Sequence, residues 1–432
     1  VRLTSIFGYI VLLTFAWTLS TNRKNINWRV IGWGAIIQIF FAGFLFVFPA
    51  GSKVFMVINK IVISVLDSAT AGTVFVFGRL ALGPGMVGSN GETSLGYFLA
   101  FQALPTIVFF AALVALLYYY GIMNKIIQAF SYIFTKLMRI SGAESCSAAS
   151  NIFVGVESAL VIKPYVGKMT KSELNTLLTC GMATIASSMM AVYIFILRGQ
   201  FPTIAGHLVS ASILNVPAAI MISKLLVPED NSPETLGISI KPFYEKENNM
   251  FEAIINGANS GLRLLAGIVA LLLAFLGLVE LLDKIIGLFG SNLNNIFNIN
   301  IDWSLKGLLG YIFYPFTLLI GVPASDAGSI ARIIGERSIL TEVTAFQDLA
   351  ILIKSGANLD PRSIVITTYA LTGFAHVASI AIFVGGISAV VPERMKDLTQ
   401  LGFRALLGAT IANLLTASVA GIFYTSSSIL MN

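Results

Sequence analysis

Cys180-Gly181-Met182-Ala183-Thr184-Ile185-Ala186-Ser187 returns later in the chain as Thr372-Gly373-Phe374-Ala375-His376-Val377-Ala378-Ser379, with Gly, Ala, Ala and Ser coinciding and Ile or Val between them. Each copy follows an interrupted apolar region that holds a glutamate, Glu157 in Gly-Val-Glu-Ser-Ala-Leu and Glu342 in Leu-Thr-Glu-Val-Thr-Ala. Small, helix-interrupting residues at corresponding places of two halves point to a secondary transporter with its site at the repeat interface. Close helix packing is the other reading of such small residues. A carboxylate inside a membrane is costly and functional by default, so the paired glutamates favour transport.

The composition agrees with a membrane setting. Of 432 residues, 56% are hydrophobic and 11% charged, against about 25% charged in an average globular domain. Too few polar side chains remain to cover a soluble surface of this size. The apolar runs do not alternate, which excludes a barrel and leaves an all-α integral membrane protein.

Working outward from the repeat, spans are expected at 3–20 and 29–49, followed by an apolar stretch at 53–77 whose Lys53, Lys60 and Asp67 suggest a helix along the interface. A glycine-rich loop, 78–91, precedes a long helix at 95–120 and an amphipathic surface helix at 124–139. The stretch 141–168 is too broken by Ser145, Ser147, Ser150, Asn151 and Glu157 for one lipid-facing span, and a re-entrant hairpin fits it better. Helices at 172–198 and 204–226 lead to a hydrophilic loop, 228–249. A long helix at 251–286, an asparagine-rich connector at 291–300, a second interrupted region at 305–353 and helices at 363–391 and 397–426 complete the chain.

The formal charge of +6 reflects basic residues in short loops, so topology explains it better than nucleic acid does. Arg23, Lys24 and Arg29 in one loop, and Arg394, Lys396 and Arg404 in another, place both loops in the cytoplasm and both termini outside it. Trp17 and Thr18 lead into a basic loop instead of a small-residue cleavage site, so Ile6–Leu19 reads as a membrane helix and not as a signal peptide. Cys146 and Cys180 are too few for a disulfide framework and read as packing residues. His207 opens a helix after a short loop and is expected at a solvated or interfacial position. No zinc or phosphate motif occurs, nor a nucleophile beside a base, so an enzyme or a non-transporting receptor on the same scaffold is disfavoured.

Several motifs in the same order carry a family resemblance. They include Asn27-Trp28-Arg29, Ala71-Gly72-Thr73-Val74-Phe75-Val76-Phe77-Gly78, Phe101-Gln102-Ala103-Leu104-Pro105-Thr106, Asn151-Ile152-Phe153-Val154-Gly155, Gly321-Val322-Pro323, Tyr369-Ala370-Leu371-Thr372-Gly373-Phe374-Ala375 and Pro392-Glu393-Arg394. Nearly end to end, the chain resembles the concentrative nucleoside transporters, cation-coupled nucleoside symporters, in their shorter bacterial form. The resemblance implies a homotrimer in the bacterial cytoplasmic membrane, with eight membrane helices, two re-entrant hairpins and an elevator-like movement of an inverted-repeat transport domain against a scaffold. The chain then divides into 1–138 (N-terminal and interfacial helices, scaffold), 139–226 (first hairpin and following helices), 227–304 (loop, long scaffold helix, connector) and 305–432 (second hairpin and following helices).

By the same resemblance, the first hairpin and its following helix hold the nucleobase through Gly155, Val156 and Glu157, with Met189 packing on the base. Glu342, Phe374 and Ser379 match residues that hold the ribose, and His376 stands at a ribose-side position of the substrate site. Asn151, Val154, Thr184 and Ile185 match a sodium site. The residue types suit these tasks, because carboxylates and hydroxyls pair with a nucleoside's polar groups while side-chain oxygens and freed carbonyls suit a hard cation. No other cofactor is implied, and proton coupling through Glu157, Glu342 or His376 stays open.

The chain also departs from the family pattern. Gly155 is followed by Val156 and Glu157, where the family has Gly-Gln-Thr-Glu, and Thr341-Glu342-Val343 stands for Asn-Glu-Phe. His376 replaces a ribose-contacting Asn; it could bond a ribose hydroxyl, carry a coupled proton, or fill space against Glu157 or Glu342. Such changes allow a modified nucleoside (a C-glycoside, for example), a nucleobase or another polar metabolite as substrate. Asp326 is expected to cap a half-helix, with substrate contact as the alternative.

Overall fold

Apolar stretches that do not alternate cross lipid as helices, whose backbone groups are paired internally. The structure, a computed structural model, describes residues 2–88, 91–356 and 358–425. In it, α1 (Arg2–Thr18) and α2 (Trp28–Val47) meet at a basic turn, and the Asn27 side chain accepts from Arg29 N to start α2. α3 (Pro49–Phe77) is one continuous helix of 29 residues, or about 43 Å at 1.5 Å per residue. It is long and apolar enough to cross a membrane, and the Lys53, Lys60 and Asp67 that suggested an interfacial position are all exposed.

The stretch expected as one helix at 95–120 is interrupted, with α4 (Leu99–Gln102) separated from α5 (Thr106–Tyr119) by Pro105. Gln102 explains the stop, because its amide donates to the carbonyls of Leu82 and Gly96 at 2.9 and 2.7 Å and draws the glycine-rich loop against the chain. α6 (Ile122–Met138) is amphipathic as expected. Met123, Ile127, Ser131, Phe134 and Met138 are buried at three- and four-residue spacing, while Lys125 and Lys136 are exposed.

The first interrupted region holds α7 (Gly142–Ser150), α8 (Ser158–Val161) and α9 (Lys163–Val166). Next come α10 (Lys171–Ala183) and α11 (Ser187–Leu197), which divide the expected helix 172–198 at Thr184-Ile185-Ala186, and α12 (Ile204–Leu226). Thr170 starts α10 with a capping box, its hydroxyl accepting from Glu173 N at 3.1 Å while Glu173 accepts from Thr170 N at 2.7 Å. Thr170→Ala is expected to cost about 1 kcal/mol, read as a lower thermal midpoint in detergent; an unchanged midpoint would show that the cap is dispensable.

α13 (Met250–Phe297) has 48 residues and absorbs most of the connector expected at 291–300. Asparagines signal loops, yet here Asn294 accepts from Trp303 Nε1 and donates to the Ile301 carbonyl, both at 2.9 Å. Asn298 takes the left-handed conformation that ends the helix, at φ 51°. The second interrupted region is also corrected. Residues 305–319 form a separate helix, α14 (Leu305–Leu319), which continues through Pro315, and the break comes only at Gly321-Val322-Pro323. α15 (Ala324–Arg337) and α16 (Glu342–Lys354) then pack on each other. The helix expected at 363–391 is divided into α17 (Pro361–Leu371) and α18 (Val377–Val390), and α19 (Met395–Phe423) closes the described chain.

Seven helical stretches among the described residues are long and apolar enough to cross a membrane: Trp28–Val47, Pro49–Ala81, Leu99–Tyr119, Lys171–Leu197, Ile204–Leu226, Met250–Phe297 and Pro392–Phe423. The chain is a multi-pass, all-helical membrane protein. Cys146 and Cys180 are buried free thiols, in keeping with a packing role. His207 departs from the solvated or interfacial position expected for it. It is fully buried, with the Phe201 and Phe55 rings 4.9 and 5.0 Å from its own and the Tyr369 hydroxyl 3.3 Å from Nδ1. Only the packing of α3 and α17 against α12 creates that aromatic cage, so the local sequence gives no sign of it.

Candidate substrate and cation site

The two copies of the repeat each contain a helix break. In the first it covers 184–186, and in the second 372–376, so the aligned octets share only the Thr184/His376 position as broken backbone. A broken helix frees carbonyls at the end of one half and amides at the start of the next. In both halves the preceding interrupted region takes up one of those amides: Ser187 N donates to the Phe153 carbonyl at 2.8 Å, and Val377 N to the Ser338 carbonyl at 3.1 Å. The breaks also meet each other, through Phe374 N donating to the Thr184 carbonyl at 3.2 Å. The glycine shared by the two octets is explained by close approach: a Cβ on Gly181 would lie 2.2 Å from the Phe383 ring, and one on Gly373 2.2 Å from Asn413 Oδ1.

Of the residues expected at the nucleobase side, Gly155 and Glu157 line a cavity of about 340 Å³, within the range of small-molecule sites. The cavity lies between the turn after α7, the start of α11 and the helices α5 and α13, and its walls include Tyr118, Val154, Ala186, Tyr244 and Asn256. Glu157 is exposed toward it. Val156 instead packs over Gly386 of α18. Met189 is buried on α11, one residue beyond the cavity wall at Ser188.

The residues expected at the ribose side form a second, closed cluster. Glu342, in the first turn of α16, is 1% exposed and accepts from the Tyr193 hydroxyl at 2.5 Å. His376, fully buried, has Nε2 3.4 Å from Glu342 Oε2. Its alternatives thus narrow to Glu342 as its neighbour among the two glutamates. The Phe374 ring stands edge-on to His376, with centroids 4.6 Å apart, and the Ser379 hydroxyl accepts from His376 N at 3.4 Å. Glu342 Oε2 and both ring nitrogens of His376 have no hydrogen-bond partner among the described residues. Buried polar atoms left alone cost about 1–3 kcal/mol each, a cost that a polar ligand or an ordered water beside them would remove.

The cation candidates occupy the junction between these clusters. Asn151 is fully buried and donates to the Ser147 carbonyl at 3.0 Å, and among the described residues its Oδ1 and the Ser147 hydroxyl have no hydrogen-bond partner. Thr184 donates its hydroxyl to the Cys180 carbonyl at 2.9 Å, which commits the proton and not the oxygen lone pairs. Ile185 sits in unwound backbone, and Val154 lies on the turn that meets Ala186 and Ser187. Orphaned oxygens beside freed carbonyls are the donor set a hard monovalent cation takes. Among the described residues no group of three His, Cys, Asp or Glu side chains could hold a metal.

Sequence reasoning missed Tyr193, which bonds Glu342 and stacks on Phe346 at 4.5 Å, and Arg337, whose side chain is fully buried beside the second break. A tyrosine midway along an apolar helix was the available signal for the first. Asp326 caps a helix, though not its own. Its Oδ2 accepts from Asp360 N and Ser363 Oγ, at 2.9 and 2.6 Å, and so holds the start of α17.

Known proteins resemble this chain along nearly its whole length. Family models described as the C-terminus and N-terminus of Na+-dependent nucleoside transporters match residues 207–421 and 7–80, and a model described as nucleoside recognition matches 100–200. The chain is 36% identical to an uncharacterized transporter of Haemophilus influenzae, over 98% of its own length and 97% of that protein's. It is 33% identical to the nucleoside permease NupC of Helicobacter pylori, over 98% and 97%. The structure of CNTnw in an inward-facing, substrate-bound state superposes with a TM-score of 0.88 at 34% identity, covering 98% of this chain and 97% of that one. The chain belongs to the concentrative nucleoside transporter family, the Na+-dependent nucleoside transporters.

Proposed function

We propose that this protein imports nucleosides across the bacterial cytoplasmic membrane, driven by a sodium gradient. The observation that carries the reading, together with the family, is the cluster of unpartnered buried groups on Glu342 and His376 beside the broken helix at Phe374. In this reading Glu342, Phe374, His376 and Ser379 hold the sugar, while Gly155, Val156, Glu157 and Met189 hold the base. Asn151, Val154, Thr184 and Ile185 hold the sodium ion. Substrate hydroxyls would satisfy atoms that the protein leaves bare, which converts their desolvation cost into affinity.

The transport domain of this proposal is the pair of interrupted regions and broken helices, α7–α12 and α15–α19, related as inverted repeats. The parallel bonds from Ser187 and Val377 to their interrupted regions support that relation. α13, which buries few of its 48 residues, suits a scaffold helix facing lipid and two further copies in a trimer. Eight membrane helices, two re-entrant hairpins and termini outside the cytoplasm complete the arrangement.

Uptake of labelled uridine and adenosine into proteoliposomes tests it. Accumulation above the outside concentration is expected with sodium outside and is expected to vanish when choline replaces sodium at fixed pH. Accumulation that follows a proton gradient in choline would replace sodium by protons, and no accumulation under either gradient would remove the nucleoside.

A second reading, of a modified nucleoside, nucleobase or similar solute, is favoured by one observation: His376 puts a ring, not an amide, beside Glu342. Unlabelled C-glycosides and free bases competing better than uridine would establish it.

A further inference from the structure

Asn413, on α19, lies outside every residue group assigned to substrate or cation, and its side chain is fully buried. Its Nδ2 donates to the Ala183 carbonyl at 2.7 Å and to the Thr372 carbonyl at 3.0 Å. Ala183 ends α10, and Thr372 follows the end of α17, so one amide takes up carbonyls freed by both helix breaks. Asn413 Oδ1 accepts from Arg337 Nη1 at 2.9 Å, and the same nitrogen donates to the Ala370 carbonyl at 2.8 Å. Asn215 of α12 donates to the Thr372 carbonyl as well. Gly373 makes room for the amide, since a Cβ there would lie within 2.7 Å of three atoms of Asn413.

Beside this node runs the bond from Phe374 N to the Thr184 carbonyl. Thr184 follows Ala183 in the candidate cation site, and Phe374 lies two residues beyond Thr372 in the candidate substrate site. Each residue of that bond is therefore close along the chain to a carbonyl that Asn413 holds.

We propose that Asn413 is the positioning residue that couples cation binding to nucleoside binding. It fixes the Ala183 and Thr372 carbonyls in one frame, so that a cation ordering the backbone at Thr184 and Ile185 also orders Phe374 and the ribose pocket behind it. Coupling of this kind is reciprocal, so the nucleoside tightens sodium by the same factor. The proposal rests on the sodium-coupled reading given above.

The test is the dissociation constant for uridine of the purified full-length protein, measured in sodium and in choline, for wild type, Asn413→Asp and Gly373→Ala. Asn413→Asp keeps the volume and the acceptor for Arg337 but loses the donors to both carbonyls. It is expected to reduce the tightening by sodium about tenfold while leaving affinity in choline within about threefold of wild type. Gly373→Ala removes no polar group and presses on Asn413; the same loss of sodium response is expected, and it decides the matter if Asn413→Asp does not fold. A role confined to packing would weaken binding equally in both salts, and that result in a folded variant overturns the proposal. An undiminished sodium effect in a folded variant overturns it too. A wild-type protein that binds uridine identically in both salts overturns the sodium reading itself, and this proposal with it.

Discussion

Glu342→Gln is expected to lower the initial rate of sodium-driven nucleoside uptake by about 100-fold, because truncating a buried, hydrogen-bonded charge costs about 2–5 kcal/mol. The carboxylate is 1% exposed, takes the Tyr193 hydroxyl on one oxygen and leaves the other without a partner beside His376. Glutamine keeps the volume and one acceptor, so the fold is expected to persist, but the second oxygen becomes a donor that faces the imidazole. A substrate hydroxyl that donated a hydrogen bond to that oxygen would meet another donor. Tyr193→Phe separates site from packing. It keeps the ring stacked on Phe346 and removes only the hydroxyl, so a smaller loss, about tenfold, is expected for one hydrogen bond to a charged group. Both are read from uptake into proteoliposomes at matched protein content. Wild-type kinetics in Glu342→Gln would remove this residue from the site.

Asn151→Ala is expected to raise the sodium concentration for half-maximal uptake by about 30-fold, the effect of roughly 2 kcal/mol. Among the described residues its Oδ1 has no hydrogen-bond partner although the residue is fully buried, and the same holds for the neighbouring Ser147 hydroxyl. Removing a ligand acts on the cation first. At saturating sodium, the uptake rate is expected to recover toward wild type, whereas general damage would lower it at every sodium concentration. A half-saturation value unchanged from wild type would place the cation elsewhere.

Much of the fold was legible because it is set by local chemistry. Charge-free runs long enough to cross a bilayer have no other stable form there, and the α6 surface helix follows from the spacing of Ile127, Phe134 and Met138. Errors arose where a local signal has two meanings. Asparagine marks a loop or caps a helix, and Asn294 and Asn298 do the second.

The helices expected as continuous at 172–198 and 363–391 are in fact broken inside the octets at 180–187 and 372–379. Those octets marked corresponding small-residue positions of two halves, and the glutamates pointed to both halves of the candidate site. That much the sequence determined by itself, since small residues and a buried carboxylate carry their cost wherever the chain goes. Tertiary structure alone decided that the two glutamates occupy different surroundings, Glu157 facing a cavity and Glu342 sealed beside Tyr193 and His376. It alone decided that His207 is caged by aromatic rings and that Asn413 reaches carbonyls on two broken helices. The physical reason is the same in each case. A residue's own cost of burial is written in its type and its neighbours along the chain, but the partner that meets it comes from a helix far away in sequence, and only packing brings the two together.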